Sequence, residues 1–287
     1  MSNVVIIGGG AAGMAAAAGA AEAGHRVSIY EKNEKLGKKI YITGKGRCNV
    51  TNGCAVEDFF SHVVTNGKFL YSAVYGFTNT DLMALLEESG CPLKVERGER
   101  VFPVSDKSSD IIAAWNRRLK KDGVEIHLNE PVSEILTEDG RAVGILLEKG
   151  RRRVLADAVI LATGGLSYPS TGSTGDGYRF AKETGHTVTE LSPALVPFTC
   201  KEEDVKAMQG LSLRNIEATV RDGKKVIWKE FGEMLFTHFG VSGPVVLSAS
   251  SYAAGRIKKA PLLLEIDLKP ALCREQLDAR ILRDFSE

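Results

Sequence analysis

Residues 4–32 read VVIIGGGAAGMAAAAGAAEAGHRVSIYEK, and the reading of this stretch decides the fold. Val4–Ile7 is a short apolar, mostly β-branched run that ends at Gly8, the pattern of a strand buried in a parallel sheet. Ala11–Ala23 is dense in alanine, the strongest helix former, and Gly24 stands where a helix C-terminus is capped. His25–Tyr30 reads as a second strand that ends at Glu31, so the unit is β-α-β. Gly8, Gly10 and Gly13 fit G-x-G-x-x-G at the first strand-to-helix turn. The first glycine permits a tight turn, the second lets a pyrophosphate approach the backbone, and the third lets the helix pack close to the strand. The start of that helix, Ala11 and Ala12 included, offers unpaired N–H groups and a partial positive charge to phosphates. Glu31 lies 18 positions after Gly13. An acid at the end of the second strand accepts hydrogen bonds from an adenosine ribose and repels a 2′-phosphate on it. The competing reading is a glycine-rich loop that merely packs; strand, helix, spacing and acid together favour a dinucleotide site.

The bulk of the chain sets the frame. Its 287 residues are 44% hydrophobic and 25% charged, an ordinary globular balance for one large domain or two smaller ones. A net charge of +1 provides no overall field for nucleic acid or an anionic membrane. No apolar run is long enough to span a bilayer, and the N-terminus lacks the basic start of a signal peptide. The expected location is therefore the cytoplasm, without membrane or nucleic-acid partners. Cys48, Cys54, Cys91, Cys200 and Cys273 are odd in number and contain no C-x-x-C pair, so free thiols and no metal site are expected.

After Glu31 and Lys32 the chain does not settle into further strand-helix alternation. It enters KNEKLGKKIYITGKGRCNVTN (32–52), where glycines allow close backbone approach and Lys38, Lys39, Lys45 and Arg47 can neutralise phosphate charge. A solvated basic loop is the alternative. Residues 56–90 read as helical with breaks near Gly67 and Gly76, residues 91–103 as a hairpin turning near Gly98, and Ser108–Lys121 as an amphipathic helix with Ile111, Ile112, Trp115 and Leu119 on one face. Strands follow over 124–128, 131–137, 141–148, 151–155 and 157–161, with a D-G turn at Asp139-Gly140. Hairpin strands over 211–220 and 224–230 turn at Asp222-Gly223, and Pro244 opens a later helix.

The strand ending in Ala162-Thr163-Gly164-Gly165 resembles the ATG element of FAD-binding flavoproteins. Three longer segments extend the likeness: GKKIYITGKGRCNVTN (37–52), ATGGLSYPSTGSTGDGYRFAKETGHTVTELSPALVPF (162–198) and FTHFGVSGPVVLSAS (236–250). In that order they resemble the bacterial NAD(P)/FAD-dependent oxidoreductase family that includes a bile-acid-pathway reductase and an aminoacetone oxidase. The likeness runs from residue 1 to about 265. It implies an α/β fold: a Rossmann-type FAD-binding domain with an inserted β-meander, plus a mainly β insert domain. It implies FAD as the held cofactor. By position, Gly8, Gly10 and Gly13 meet the pyrophosphate and Glu31 the ribose, with Lys32 beside it. Lys38, Lys39 and the segment Thr43, Gly44, Lys45, Gly46, Arg47, Cys48 and Asn49 pass beside the phosphates and the isoalloxazine. Val132 meets the adenine edge through its main chain, and Thr163 and Gly164 lie near the nucleotide. Members of the family extend well past the point where this chain stops. The expectation is an FAD-binding domain over 1–190 lacking its closing segment, an incomplete insert over 191–287 that covers the flavin, and weak FAD retention or poor solubility of this chain alone.

The activity implied is reduction of an activated C=C bond in a small organic molecule with NAD(P)H as donor; oxidation of an amine by oxygen is the alternative within the family. No second dinucleotide turn is legible, since Gly172–Gly177 reads G-S-T-G-D-G without a β-α-β partner, so a nicotinamide would dock only transiently. No catalytic acid or base is identifiable. Tyr168 and His238 are the polar candidates for the substrate pocket, with scaffold roles competing for both. Redox catalysis by Cys48, with Arg47 lowering its pKa, is weighed and disfavoured for want of a partner cysteine. A non-catalytic flavin-binding protein and a flavin-dependent RNA-modifying enzyme are the other classes, the latter opposed by the near-zero net charge.

Overall fold

In the computed structural model, which describes residues 1–286, the chain divides into two units, Met1–Thr189 and Glu190–Glu287. In the first, β1 (Asn3–Ile7), α1 (Ala11–Glu22) and β2 (Arg26–Glu31) form the opening crossover. Then come β3 (Thr51–Asn52), α2 (Val56–Ser61), α3 (Tyr71–Gly76), α4 (Asn79–Glu88), β4 (Leu93–Glu96), β5 (Arg100–Pro103) and α5 (Ser108–Lys121). The unit continues with β6 (Glu125–Leu128), β7 (Val132–Glu138), β8 (Arg141–Leu147), β9 (Arg153–Leu155), β10 (Ala158–Leu161) and α6 (Asp176–Glu183).

Four strands make a wholly parallel sheet in the order β10-β1-β2-β6, so this unit is a Rossmann-type α/β fold. The alternation of a strand sends its side chains to opposite faces. Val4 and Ile6 accordingly enter one core with Met14, Ala17 and Ala18 of α1 and Ile111, Ile112, Trp115 and Leu119 of α5. Val5, Ile7 and Tyr30 enter another, against Ile145 and Leu147 of the antiparallel meander β7-β8-β9 and Phe180 of α6. The sheet is thus covered on both faces, which is why the β1 run is apolar throughout. The segment 124–128, legible only as a strand, becomes the fourth parallel strand beside β2. A small antiparallel sheet, β3-β5-β4, carries the hairpin at Gly98.

The second unit contains β11 (Phe198–Thr199), α7 (Glu203–Ala207), β12 (Ser212–Asp222), β13 (Lys225–Thr237), β14 (Gly240–Ser242), α8 (Pro244–Ile257), β15 (Leu263–Asp267) and α9 (Arg274–Asp284). Its antiparallel sheet runs β11-β14-β13-β12-β15. Ile216, Val220, Trp228, Met234 and Phe236 of the sheet bury against Val245, Val246 and Ala249 of α8. Asp267 ends β15, and α9 starts only at Arg274. Pro270 stands between them, and proline disfavours a helix running through it. Among the described residues no helix is long and apolar enough to cross a membrane.

Candidate functional site

The carboxyl ends of β1, β2 and β10 open onto a cavity of about 910 Å³, at the upper end of the roughly 300–1,000 Å³ usual for small-molecule sites. Such strand ends are where open parallel sheets bind ligands. The turn at its base is built on close approach. A Cβ on Gly8, whose φ is +107°, would lie 2.5 Å from the Ala162 carbonyl oxygen; one on Gly13 would lie 1.9 Å from the Gly8 carbonyl oxygen. No side chain therefore fits where α1 crosses β1. A Cβ on Gly10 would meet nothing within 4 Å, because Gly10 faces the open cavity. Gly10 is also the N-cap of α1 and offers no capping side chain. The amides of Ala11, Ala12 and Gly13 have no carbonyl partner within their own helix, so the positive end of a twelve-residue helix points at the cavity.

Charged side chains line the walls. Glu31 is buried. Its Oε2 accepts the Gly9 N–H at 2.7 Å, and its Oε1 accepts the Asn33 N–H at 2.8 Å and Nδ2 at 2.6 Å. These bonds fix the carboxylate at the mouth of the glycine turn. Lys32 Nζ donates to Thr174 Oγ1 at 2.6 Å and pairs with Asp176 at 2.7 Å. Burial pulls the Asp176 carboxyl up, but the Lys32 ammonium and the Thr174 hydroxyl outweigh it and hold the group below its usual range. Lys39 Nζ donates to Ser173 Oγ at 2.7 Å and Ser167 Oγ at 3.3 Å, and Lys38 pairs with Glu34 at 3.2 Å.

Of the residues singled out from sequence, Gly8, Gly10, Ala11, Ala12, Glu31, Lys32, Lys38, Lys39, Thr43, Val132, Thr163 and Gly164 line this one cavity. Gly13 does not line it and serves the helix crossing instead. Gly44, Gly46, Arg47, Cys48 and Asn49 are not on its wall either. Arg47 pairs with Glu96 and Asp106. Asn49, with its amide turned to donate, reaches the Val101 carbonyl at 3.2 Å and the Thr51 carbonyl at 3.1 Å. Cys48 is 5% exposed, and burial pushes its thiol up; the idea that Arg47 lowers it is corrected, because that guanidinium is turned to the two carboxylates. Tyr168 is 65% exposed and off the wall, with its carbonyl accepting from Thr171. His238 belongs to the second unit, exposed between β13 and β14 and edge-on to Phe239. Sequence reasoning missed Asn33, Ser133, Ser173, Asp176 and Arg179 on the wall. The available signal was the G-S-T-G-D-G run, which supplies Ser173 and Asp176 to the wall rather than a second dinucleotide turn.

An uncapped helix start, a close-approach glycine turn, a buried carboxylate and three lysines around one large cavity are a donor set that fits a dinucleotide diphosphate and its ribose. Comparisons with known proteins bear on which one. The model of the HI0933-like protein Rossmann domain matches residues 2–255. The chain is 34% identical over 255 residues to the ribosomal RNA dihydrouridine synthase of Haemophilus influenzae, covering 88% of this chain and 61% of that one. It is 33% identical over 278 residues to the protein of the same name from Escherichia coli, covering 96% and 67%. It is 30% identical over 280 residues to the 3-dehydro-bile acid delta(4,6)-reductase of Clostridium scindens, again covering 96% and 67%. The chain therefore spans about two thirds or less of these curated relatives. Among solved structures, the open conformation of a flavocytochrome c3 fumarate reductase superposes with a TM-score of 0.52 at 23% identity, covering 75% of this chain and 47% of that one.

Proposed function

From the premise that the chain belongs to the HI0933-like family of Rossmann-domain flavoproteins, which are FAD-dependent oxidoreductases, we propose that FAD occupies the cavity at the start of α1 and serves the reduction of a C=C bond conjugated to a carbonyl. The observation that carries the cofactor assignment is the uncapped N-terminus of α1 opening at Gly10 beside the buried Glu31. The amides of Ala11 and Ala12 would hold the diphosphate, and Lys38 and Lys39 on the same wall would neutralise it. Glu31, held rigid by Gly9 and Asn33, accepts the ribose hydroxyls. Bound FAD supplies hydride transfer; the chain supplies position and exclusion of water.

The relatives' names support the bond type. A dihydrouridine synthase saturates the uracil ring, and a 3-dehydro delta(4,6)-reductase saturates ring double bonds in a keto steroid. Both acceptors are C=C bonds in conjugation with a carbonyl. The +1 net charge favours a free small molecule. The names of the two rRNA-acting relatives favour a uracil base in RNA as a second reading. NADH or NADPH is the proposed donor, docking transiently.

The first test is an FAD titration of the purified chain, followed by flavin fluorescence, for the natural protein and Glu31→Ala. Saturable binding that Glu31→Ala weakens is expected; binding indifferent to Glu31 overturns the site. Anaerobic incubation of the FAD-loaded protein with NADH or NADPH then tests the chemistry. One arm carries a keto steroid with a conjugated double bond, the other a uridine-containing RNA. Donor oxidation with gain of hydrogen by one acceptor is expected. Turnover of an amine with oxygen, and of neither acceptor, would replace this reading with the oxidase one.

A further inference from the structure

In the loop 43–49, Gly44, Lys45, Gly46 and Cys48 all have positive φ, at 55°, 58°, 86° and 63°. Left-handed backbone at Lys45 and Cys48 is unfavourable for residues with a Cβ and persists only where the surroundings impose it. Arg47 stands between them, and its guanidinium turns away from the cavity. Its Nε donates to Asp106 Oδ1 at 2.8 Å, and its Nη2 pairs with Glu96 Oε1 and lies 2.6 Å from Asp106 Oδ1. The same group lies over the Phe102 ring, 4.2 Å from its centroid. Lys94 closes the cluster at 2.7 Å from Asp106 and 3.7 Å from Glu96. Glu96 belongs to β4 and Phe102 to β5, and Asp106 follows β5, so one side chain ties the loop to a hairpin.

The loop has little slack. A Cβ on Gly44 would lie 2.9 Å from the Asn49 nitrogen and 3.3 Å from Phe102. The Arg47 N–H donates to the Gly44 carbonyl at 3.2 Å and the Cys48 N–H to the Thr43 carbonyl at 3.1 Å. Thr43, where the loop begins, lines the cavity, and its hydroxyl donates to the carbonyl of Ile40, another wall residue, at 2.9 Å. A displacement of the loop therefore reaches the wall through Thr43.

We propose that Arg47 is a positioning residue for the cofactor: through Glu96 and Asp106 it holds the loop 43–49 against the β4-β5 hairpin and so sets the Thr43 side of the cavity. This rests on the reading of the cavity as the FAD site. A guanidinium shared by two carboxylates and stacked on a ring is not free to neutralise a phosphate. The cluster is electrostatically coherent: the Arg47 contact holds the Glu96 carboxyl low, and Lys94 and Arg47 together hold Asp106 low.

The experiment compares the full chain with Arg47→Met, with the near-isosteric pair Glu96→Gln and Asp106→Asn, and with all three together. FAD affinity is measured by fluorescence titration. Exchange of the loop amides is measured without FAD, and folding is checked by far-ultraviolet circular dichroism. Both Arg47→Met and the carboxylate pair should weaken FAD binding of order tenfold, the scale for losing an orienting partner. The triple variant should be no weaker than either, because the three act as one unit. Exchange at the Arg47 and Cys48 amides should rise in all three. Arg47→Lys should not rescue, since an ammonium cannot bridge both carboxylates and stack. If the carboxylate pair keeps or gains FAD affinity while Arg47→Met loses it, Arg47 is a direct ligand and the proposal fails. Unchanged exchange in every variant also overturns it. If the natural protein binds no FAD, the cofactor reading fails instead, and the exchange data decide by themselves whether Arg47 holds the loop.

Discussion

Glu31 carries two duties that a single substitution can separate. As an acceptor for the Gly9 N–H it shapes the glycine turn, and as a charge it prepares the ribose end of the cavity. Glu31→Gln keeps an acceptor of the same size, whereas Glu31→Ala leaves the Gly9 and Asn33 donors unpaired beside a buried site. The loss of hydrogen bonds to a charged group costs about 1.5–3 kcal/mol. Thermal unfolding should therefore place Glu31→Ala well below Glu31→Gln, with FAD affinity falling in both. Cys48 makes the opposite kind of statement. Its thiol is buried and pushed up, so little of it is thiolate at neutral pH, whereas Cys273 is exposed. Alkylation of the native protein followed by peptide mapping should modify Cys273 rapidly and Cys48 only after denaturation. Rapid labelling at Cys48 would reopen a redox role.

Among the elements, helix α5 was legible because its signal is local. Ile111, Ile112, Trp115 and Leu119 recur at helical spacing, and all four are buried against α1 or its neighbours. Leu119→Ala should cost about 2–5 kcal/mol in urea unfolding, the range for a buried leucine. The opening crossover was legible for the same reason, since its glycines, alanines and acid lie within one short stretch. The far wall of the cavity was not. The segment 164–176 is tied down by Lys32 to Thr174 and Asp176 and by Lys39 to Ser173, contacts across more than a hundred residues that no local pattern announces. The loop 44–49 was hard to read for a related reason. Its lysine, arginine and glycines resemble a phosphate loop, while Arg47 is engaged by acids that arrive from β4 and from the turn after β5. The Lys32–Asp176 tie also sets a pH response. The folded carboxyl lies below its unfolded value of about 3.9, so its contribution is present above that pH and is lost as pH falls through the folded pKa. Acid unfolding of Asp176→Asn should accordingly be flatter than that of the natural protein through this window. An unchanged acid limb would mean that the pair contributes nothing.

For the whole molecule, the two tryptophans divide neatly between the two units. Trp115 is buried on α5 in the first and Trp228 on β13 in the second. Replacing Trp228 by Phe leaves Trp115 as the one indole, so intrinsic fluorescence then follows the unit that owns every residue of the cavity wall. A ligand that binds only the folded form stabilises it by about 2.7 kcal/mol at a hundred times its dissociation constant. FAD at that excess should shift the Trp115 transition upward by this amount, and ADP should shift it as well, because the helix start and Glu31 need only a diphosphate and a ribose to act on. Adding Glu31→Ala to the same background should shrink both shifts. A Trp115 transition indifferent to FAD and ADP alike would mean that the glycine turn packs a helix against a strand and does nothing more, the alternative that the sequence left open.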